Sequence, residues 1–461
     1  MKRLFPLLLL LLMSFTLIDA PSHARQPNRK LNVLFIAVDD LRPELGAYGN
    51  ALIQTPNIDK LAAQGTRFEL AYCQYPLCNP SRTSLFTGRH PTTTGVLDNR
   101  TWFRAAHPDF ITMPQHFKAN GYKVLRTGKQ FHGGIDDTEA WTEGGETRQF
   151  TGAVNTTAPG QVAANSDRIV TLEGNGESHG DYKSATRAIE YLEKYKDQPF
   201  FLALGFAKPH SPPTAPKRMI EMYDTAKIKL PPDFAPRPKA PPGFPEISVP
   251  PRSSDLFIGR DASETEAREV IRAYMASTTF TDYNVGRVIE ALDRLKLRDN
   301  TVIVFWGDHG YHLGEKGKWS KHNSLFEIGT RVPLIFVTPK GKPQVARQTV
   351  QLLDMYPTLV ELCGLPMPAG QQGHSLAPVL RNVKAQWNHP AYTVTFFQNK
   401  LGKAVRTDRW RYAEWDDGKA GAMLFDHTKD PHELKNLADN PAYAKTVAEM
   451  KKLIQQMPYE K

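Results

Sequence analysis

The chain has 461 residues, a net charge of +10 at pH 7 and three cysteines. This length suits one large domain with a smaller one, and three cysteines exclude a disulfide framework. The basic residues are scattered, without a polybasic tail or a patch interleaved with aromatic residues, so the charge does not indicate a nucleic-acid-binding protein.

The first 24 residues have the composition of a signal peptide. A basic start, Met1-Lys2-Arg3, precedes the apolar run from Leu4 to Ile18, and Ser22-His23-Ala24 supplies small residues for cleavage. The apolar run is short for a membrane span, so we expect cleavage and no stable membrane insertion. The sequence therefore predicts an exported protein, periplasmic or extracellular, or one of the lysosomal or secretory route in a eukaryote.

Strand and helix patterns alternate through the first three quarters of the chain. Buried strands are predicted from four apolar runs: Asn32–Val38, Phe200–Phe206, Thr301–Trp306 and Val332–Val337. Helices are predicted for Ile58–Gly65, Met113–Ala119, Asp181–Tyr195 and about Ser263–Leu295. This alternation predicts an α/β fold with a large, mostly parallel central sheet and helices on both faces.

Two later segments differ from this pattern. Residues 208–252 are rich in proline, which favours an ordered excursion over the surface that walls a pocket. Beyond Pro366, short strands are predicted at His389–Gln398, Ala404–Trp415 and Met423–Asp426, followed by a helix from Pro441 to Gln456. We therefore predict a catalytic domain over residues 25–370 and a C-terminal subdomain over 371–461, built from a small antiparallel sheet and a helix.

Two of the predicted strands end in acidic groups. Asp39 and Asp40 follow the first strand, and Asp308 and His309 follow the strand that begins at Thr301. Ligands of open α/β sheets bind beyond the carboxyl ends of strands, and crowded carboxylates attract a hard divalent cation, Ca²⁺ or Mg²⁺. The alternative is that each acidic group only caps the next helix.

A short motif supplies the most specific signal. Cys78-Asn79-Pro80-Ser81-Arg82, followed by Thr87-Gly88-Arg89, resembles the signature of the type I sulfatases. The stretches Leu31–Gly49, Thr55–Asp59, Arg331–Ile335 and Asp426–Leu437 are also similar to that family. The Asp308-His309 pair and the Lys-x-x-His element at Lys129 resemble the iduronate-2-sulfatase subgroup. The resemblance implies an alkaline-phosphatase-like fold and a sulfate ester hydrolase.

The resemblance also implies that a formylglycine-generating enzyme oxidises Cys78 to formylglycine. A thiol that attacked sulfur would leave a sulfated enzyme needing a second difficult displacement. A hydrated aldehyde carries two hydroxyls on one carbon, so one can attack sulfur and the other can expel sulfate. Of the other cysteines, Cys73 and Cys363 are interpreted as core thiols or as a pair with each other.

The resemblance assigns further roles residue by residue. It places a cation, Ca²⁺ in preference to Mg²⁺, on Asp39, Asp40, Asp308, His309 and the modified Cys78. Arg82 and Lys129 would hold the hydrated aldehyde, and His132 would take the proton when sulfate leaves. Lys129, His210 and Lys321 would bind the sulfate, with His210 as the proton donor to the departing alcohol.

The substrate-facing residues are expected around the mouth of the site, where the sequence has Tyr311, His312, Trp319 and His322. Of these, Tyr311 and His322 are predicted to bind substrate, a sulfated sugar for which a uronate is one candidate. Two alternatives stay open at this point. One is a phosphonate monoester hydrolase or phosphodiesterase of the same superfamily, and the other is a non-catalytic glycan-binding relative.

Overall fold

The computed structural model describes residues 30–147, 168–251 and 255–458. The predicted signal peptide lies outside them. The strands are β1 (Asn32–Val38), β2 (Thr66–Tyr72), β3 (Lys123–Gly128), β4 (Val170–Leu172), β5 (Phe200–Phe206), β6 (Thr214–Pro216), β7 (Thr301–Gly307), β8 (Arg331–Val337), β9 (Gln344–Gln351), β10 (Ala391–Phe397), β11 (Lys400–Arg406), β12 (Trp410–Trp415) and β13 (Ala422–Asp426).

The α-helices of the same part of the chain are α1 (Pro56–Ala62), α2 (Cys78–Thr87), α3 (Pro91–Thr94), α4 (Met113–Ala119), α5 (Gly180–Tyr195), α6 (Lys217–Ile220), α7 (Glu264–Arg294), α8 (Glu327–Thr330), α9 (Met355–Leu362), α10 (Ala377–Arg381) and α11 (Ala444–Ile454). None of the helices in the described residues is both long and apolar enough to cross a membrane.

The central sheet has seven strands in the order β3-β5-β1-β7-β8-β2-β9. Parallel pairing joins β3, β5, β1 and β7, and only β8 runs against its two neighbours. The strands β1, β5 and β7 are buried along their whole length, as their unbroken apolar sequences predict. The predicted fold class, a large and mostly parallel sheet flanked by helices, is confirmed.

Separate apolar cores cover the two faces of this sheet. On one face, α2, α4 and α9 pack through residues such as Phe86, Phe117 and Leu359. On the other face, α1, α5 and the long α7 pack through Leu61, Leu192 and Val288 among others. Because both faces are covered, the polar side chains that follow the strands gather at the open carboxyl edge of the sheet.

A second sheet, β10-β11-β12-β13, is antiparallel throughout, and Met450 and Ile454 of α11 pack against it. The predicted small antiparallel sheet with a helix is therefore confirmed. The prediction of one strand over Ala404–Trp415 is wrong. Thr407 turns the chain there, accepting a hydrogen bond from the Trp410 amide (3.1 Å) on its hydroxyl and donating its own amide to the Trp410 carbonyl (2.9 Å), so the stretch splits between β11 and β12.

The described part of the proline-rich excursion is ordered, and its regular elements are short: β6, α6 and two 3₁₀ turns, Thr225–Lys227 and Glu246–Ser248. Met219, Ile220 and Tyr223 pack it against Ile271 and Met275 of α7. Residues 227–233 line one wall of a cavity of about 770 Å³. The excursion therefore walls a pocket, as its proline content predicts.

Candidate active site

The register of the central sheet brings four strand ends together. Val38, the last residue of β1, lies opposite Phe206 of β5 on one side and Gly307 of β7 on the other. Gly205 of β5 in turn lies opposite Gly128 of β3. The polar residues that follow these strands therefore meet at one edge: Asp39, Asp40, Asp308, His309, Lys208, His210 and Lys129.

Cys78 reaches the same place from a helix. It is the first residue of α2, whose ten residues are all buried, and it is itself 1% exposed. The free N–H groups and the dipole of a helix N-terminus favour negative charge at this position. The cysteine Sγ lies 3.4 Å from Asp39 Oδ1, 3.4 Å from His309 Nε2 and 3.5 Å from Lys129 Nζ.

Four of the five predicted metal ligands form one tight group. Asp39, Cys78, Asp308 and His309 each offer a ligand atom, and these atoms all lie within 4.8 Å of one another. The fifth, Asp40, borders this group, with its Oδ1 3.3 Å from His309 Nδ1. Asp40 Oδ1 is buried and has no hydrogen-bond partner, as expected of an oxygen placed for a cation.

The charges at these positions affect one another strongly. Burial raises the pKa of Asp40 to about 7, against the influence of Lys321. Burial also raises the pKa of Asp39, but Lys129, His210 and two further cations outweigh it and hold that pKa well below its usual range. Burial lowers the pKa of His309, whereas the anions around it raise it to about 9. The strand ends thus form a buried, anion-rich group that a divalent cation would stabilise.

Arg82 and Lys129 lie against this group. The Arg82 Nε donates to Asp308 Oδ2 (2.9 Å), and its Nη1 donates to the carbonyls of Lys129 and Gln130 (2.8 Å each). Its Nη2 is buried without a hydrogen-bond partner. Lys129 forms an ion pair with Asp39 in addition to its contact with Cys78. These two cations and the metal-ligand group therefore surround the Cys78 side chain.

Lys321 and His210 face the group from the opposite side. The Lys321 ammonium lies 3.1 Å from Asp40 Oδ2, and the His210 Nε2 lies 3.8 Å from the same oxygen. The His210 Nδ1 lies 2.7 Å from the Ser211 carbonyl, which can only accept, so Nδ1 carries the proton. Burial and the nearby Lys321 lower the pKa of His210 to about 3, so the ring is neutral at pH 7.

His132 lies within the electrostatic reach of the same residues. Its Nδ1 is buried without a hydrogen-bond partner. Burial, and then the charge of Lys129, lower the pKa of His132 to about 4. The imidazole is therefore neutral near pH 7 and is able to accept a proton.

Three of the four residues expected around the mouth are buried. Tyr311 is 2% exposed, and its hydroxyl donates to the Trp319 carbonyl (3.0 Å). Trp319 is buried in the same core, and the His312 Nε2 lies 2.7 Å from the Ser324 hydroxyl. The Tyr311 ring lies 5.7 Å from the Lys321 ammonium, and contact of Tyr311 with substrate stays a prediction. His322, at 37% exposure, is accessible.

One residue of the site escaped the sequence prediction. Asp255 forms ion pairs with Lys321 (3.4 Å) and with His322 (3.0 Å). It follows no predicted strand and belongs to no recognised motif, so only its spatial neighbours reveal it. Of the two interpretations of Cys73 and Cys363, a mutual pair is excluded and free thiols remain, since all three cysteines are free.

Comparison with known proteins identifies the family. The sequence model of the Sulfatase family matches residues 31–365, which span the central sheet and every predicted site residue. The chain belongs to the sulfatase family. A second model, described as the C-terminal part of N-sulphoglucosamine sulphohydrolase, matches residues 314–460. The protein is a sulfuric ester hydrolase, so the alternative of a non-catalytic glycan-binding relative is set aside.

Two relatives sharpen this assignment. The sulfatase is 35% identical over 405 residues to human iduronate 2-sulfatase, covering 76% of this chain and 72% of that protein. It is 34% identical over 479 residues to a sulfatase of Formosa agariphila, covering 98% of this chain and 92% of that one. The expected resemblance to the iduronate-2-sulfatase group is confirmed.

Solved structures agree with the fold. A 2-O GAG sulfatase superposes with a TM-score of 0.71 at 28% identity, covering 93% of this chain and 92% of that one. The phosphonate monoester hydrolase of Agrobacterium radiobacter superposes with a TM-score of 0.76 at 20% identity, over 93% and 95% of the two chains. At this identity the second likeness supports the shared fold alone.

Proposed function

We propose that this sulfatase removes a sulfate ester from a sulfated sugar, using a formylglycine made from Cys78 and a Ca²⁺ ion bound at the strand ends. The metal ligands in this proposal are Asp39, Asp40, Asp308, His309 and the converted residue 78. Arg82, Lys129, His132, His210 and Lys321 complete the catalytic set. Ca²⁺ is preferred to Mg²⁺ because the ligands are mostly oxygen atoms in an irregular arrangement.

The observation that carries this proposal is the set of ligand atoms around Cys78. One ligand atom each of Asp39, Cys78, Asp308 and His309 lies within 4.8 Å of the others, and the buried Asp40 Oδ1 beside them has no hydrogen-bond partner. Arg82, Lys129 and Lys321 form ion pairs with the carboxylates of this region. A divalent cation held by these atoms would add positive charge to the pocket, which suits an anionic substrate whose transition state gathers charge on its oxygens.

The side chains around Cys78 fit both the divalent cation and the formylglycine that the proposal requires. The Cys78 Sγ stands where an oxygen of the converted side chain would lie, within 3.4 Å of two predicted ligands, Asp39 and His309. With the unpartnered Asp40 Oδ1, this would complete a mostly oxygen ligand set. When bound, the cation supplies charge stabilisation, and the hydrated formylglycine supplies a hydroxyl nucleophile.

Arg82 and Lys129 serve to orient the nucleophile. Arg82 is fixed by its bonds to Asp308 and to two carbonyls, and its free Nη2 lies 3.9 Å from Asp39 Oδ1. The Lys129 ammonium lies 3.5 Å from the Cys78 Sγ. Two cations held in this way stabilise a deprotonated oxygen at position 78 without reorganising during the reaction.

His132 and His210 move the protons. The neutral His132, with its depressed pKa, accepts the proton of the second hydroxyl when sulfate departs. His210 can donate from Nε2 only as the imidazolium, because Nδ1 already holds the proton of the neutral ring. The negative charge of a bound sulfate ester favours that imidazolium. Pairing of the Lys321 ammonium with the sulfate also favours it, because the Lys321 charge then opposes protonation of His210 less strongly.

The substrate class follows from the relatives. The similar proteins include an iduronate 2-sulfatase and a 2-O GAG sulfatase, so we propose a 2-O-sulfated uronate of a saccharide as the substrate. His322 is accessible beside Lys321 and would contact the sugar. The same proposal includes export by a signal peptide over residues 1–24 and maturation by a formylglycine-generating enzyme. It also includes a catalytic domain over residues 25–370 and a C-terminal subdomain over residues 371–461.

A desulfation screen tests this function. The protein, co-produced with a formylglycine-generating enzyme and supplied with Ca²⁺, is incubated with defined disaccharides sulfated at single positions. We expect sulfate release from 2-O-sulfated uronates and little from isomers sulfated on the amino sugar. Release from none of the sulfated sugars would contradict the proposal.

The phosphonate monoester hydrolase alternative is tested in the same screen. An aryl phosphodiester and an aryl sulfate are compared at equal concentration with the same enzyme preparation. We expect the larger kcat/KM for the sulfate. A strong preference for the phosphodiester would replace the proposed function with the alternative.

A further inference from the structure

Asp255 bridges two residues on the sulfate-facing side of the site. Its Oδ2 lies 3.4 Å from the Lys321 ammonium, and its Oδ1 lies 3.0 Å from the His322 Nε2. The Asp255 amide donates to the Trp319 carbonyl (2.9 Å), which fixes the backbone of Asp255 against the loop that carries both partners. The side chain of Asp255 is 18% exposed.

Lys321 is consequently held between two carboxylates. Its ammonium lies 3.1 Å from Asp40 Oδ2 and 3.4 Å from Asp255 Oδ2, and its side chain is 3% exposed. An ammonium attracted by one carboxylate alone would move toward it. Without Asp255, the Lys321 charge would therefore shift toward Asp40 and away from an incoming sulfate.

A carboxylate at this place opposes the binding of an anion through direct repulsion. A bystander carboxylate would therefore be a disadvantage in a pocket for sulfate esters. Its contacts to Lys321 and His322 give it a different use, because a cation placed at the right point stabilises the charge of the transition state more than it favours binding.

We propose that Asp255 is a positioning residue that holds the Lys321 ammonium off Asp40 and orients the His322 ring toward the sugar. This role rests on the proposed function, since Lys321 and His322 are assigned there to the sulfate and the sugar. Asp255 does not itself touch the sulfate. It acts through its two partners.

The same stretch of chain offers a matched control. Asp233 forms an ion pair with Lys316 (2.7 Å), and its side chain is 14% exposed, close to the exposure of Asp255. Lys316 packs over the rings of Phe326 and Phe244, away from the strand ends. Asp233→Asn therefore removes a similar charge from a similar aspartate–lysine pair outside the site.

The test compares Asp255→Asn, Asp255→Glu and Asp233→Asn in the converted, Ca²⁺-loaded enzyme. Asp255→Asn should lower kcat for a sulfated uronate by about 10- to 100-fold, because a cation displaced by about 1 Å loses much of its effect. KM should change by less than about threefold, because two effects on substrate binding oppose each other. The variant loses the repulsion between the Asp255 carboxylate and the sulfate, and it also loses part of the contact between Lys321 and the sulfate. Asp255→Glu should recover most of kcat, and Asp233→Asn should leave it unchanged.

Three results would overturn the positioning role. They are an unchanged kcat in Asp255→Asn, an equal loss in Asp233→Asn, and a melting temperature of Asp255→Asn that falls in proportion to its activity without rescue by Asp255→Glu. A crystal structure of Asp255→Asn gives a readout that does not need turnover. We expect Lys321 Nζ to move toward Asp40, and an unmoved Lys321 and His322 would overturn the role.

Failure of the proposed function gives a different pattern. A wild-type enzyme that releases no sulfate from any sugar contradicts that function, whereas the position of Lys321 in the Asp255→Asn crystal structure still decides the positioning role. A wild-type enzyme that is active beside an equally active Asp255→Asn variant contradicts the positioning role alone.

Discussion

Within the described part of this sulfatase, two groups of acidic, imidazole and thiol side chains are spaced closely enough to hold a metal ion, and they differ in their surroundings. One is the strand-end group of Asp39, Cys78, Asp308 and His309. The other, which we call the interlobe group, consists of Glu327, His427 and Glu433. It joins α8, which follows the active-site loop, to the C-terminal sheet.

The interlobe group is already saturated by arginines. Glu327 forms ion pairs with Arg406 (3.2 Å) and Arg411 (2.6 Å) and accepts the Tyr72 hydroxyl (2.8 Å). Glu433 forms an ion pair with Arg411 (2.9 Å) and accepts a hydrogen bond from the Glu327 amide (2.7 Å). Burial raises the pKa of Glu327, but these cations outweigh it and hold that pKa well below its usual range.

The strand-end group, in contrast, borders Asp40, whose buried Oδ1 has no hydrogen-bond partner and whose pKa is raised to about 7. Spacing alone therefore does not define a metal site. The difference is whether protein cations already complete the hydrogen bonds and charge of the acidic oxygens. We therefore propose a catalytic role for the strand-end group and a stabilising role for the interlobe group.

The largest effect is expected from Cys78→Ala. The variant keeps the cations and carboxylates of the strand-end group but has no side chain to convert, so sulfate release should fall by about 10³-fold or more. The measurement is kcat on a sulfated disaccharide, with Cys363→Ala as the control thiol. Turnover in Cys78→Ala within tenfold of wild type would contradict the role of residue 78.

Metal binding distinguishes the two groups directly. We expect about one Ca²⁺ per chain, removal of which by a chelator lowers activity by about 10²-fold or more, because the cation stabilises charge in the transition state. Asp308→Asn should lose the ion, and Glu433→Gln should retain it. The measurement is metal content by elemental analysis after dialysis. Loss of the ion in Glu433→Gln instead would reverse the assignment.

His132→Asn tests proton transfer at the strand-end group. The loss of a positioned base should lower kcat by about 10²- to 10⁴-fold. Because the base must be neutral and its pKa is lowered to about 4, the wild-type kcat should fall as the pH drops through about 4. That acid limb should disappear in the variant. A limb that persists unchanged would assign the titration to another group.

The smallest effect on turnover is expected from the interlobe group. Glu327→Gln leaves two buried arginines, Arg406 and Arg411, without their shared carboxylate and should lower the free energy of unfolding by about 3 kcal/mol. A depressed carboxyl pKa stabilises the fold above the unfolded value of about 4.5, and this contribution is lost as the pH falls from there through the lower folded pKa. Denaturant titration at pH 7 measures the loss in the variant, and titration of the wild type at steps down to about pH 3 measures the pH dependence.

The control for Glu327→Gln is Glu361→Gln, which removes an exposed pair with Arg381 and should change the unfolding free energy by less than about 1 kcal/mol. Both variants should retain kcat within about threefold, because neither touches the strand ends. A fall in kcat of more than about threefold in folded Glu327→Gln would place the interlobe group in the catalytic machinery.

The sequence allowed most of the strand-end group to be predicted, because its members follow fully apolar strands whose parallel register brings their ends together. Residues Asp39 and Asp308 follow β1 and β7 in this way, and the signature locates Cys78. The edge strands β3 and β9 were not predicted, since polar residues, such as Arg126 in β3 and Arg347 in β9, interrupt their apolar pattern.

Loop positions were less accessible to sequence reasoning. Tyr311 was expected at the mouth of the site from the family resemblance, yet the loop folds it into the core. Asp255 was missed for the opposite reason, because its partners Lys321 and His322 lie far along the chain. No local periodicity encodes such contacts, which depend on the path of the proline-rich excursion.

The central claim is that residue 78 acts as an aldehyde and not as a thiol. The most direct test is mass analysis of the peptide that contains residue 78, from preparations made with and without a formylglycine-generating enzyme. We predict that the fraction of that peptide with the mass of formylglycine rises in proportion to specific activity. Full activity in a preparation whose residue 78 is entirely unmodified cysteine would contradict this account.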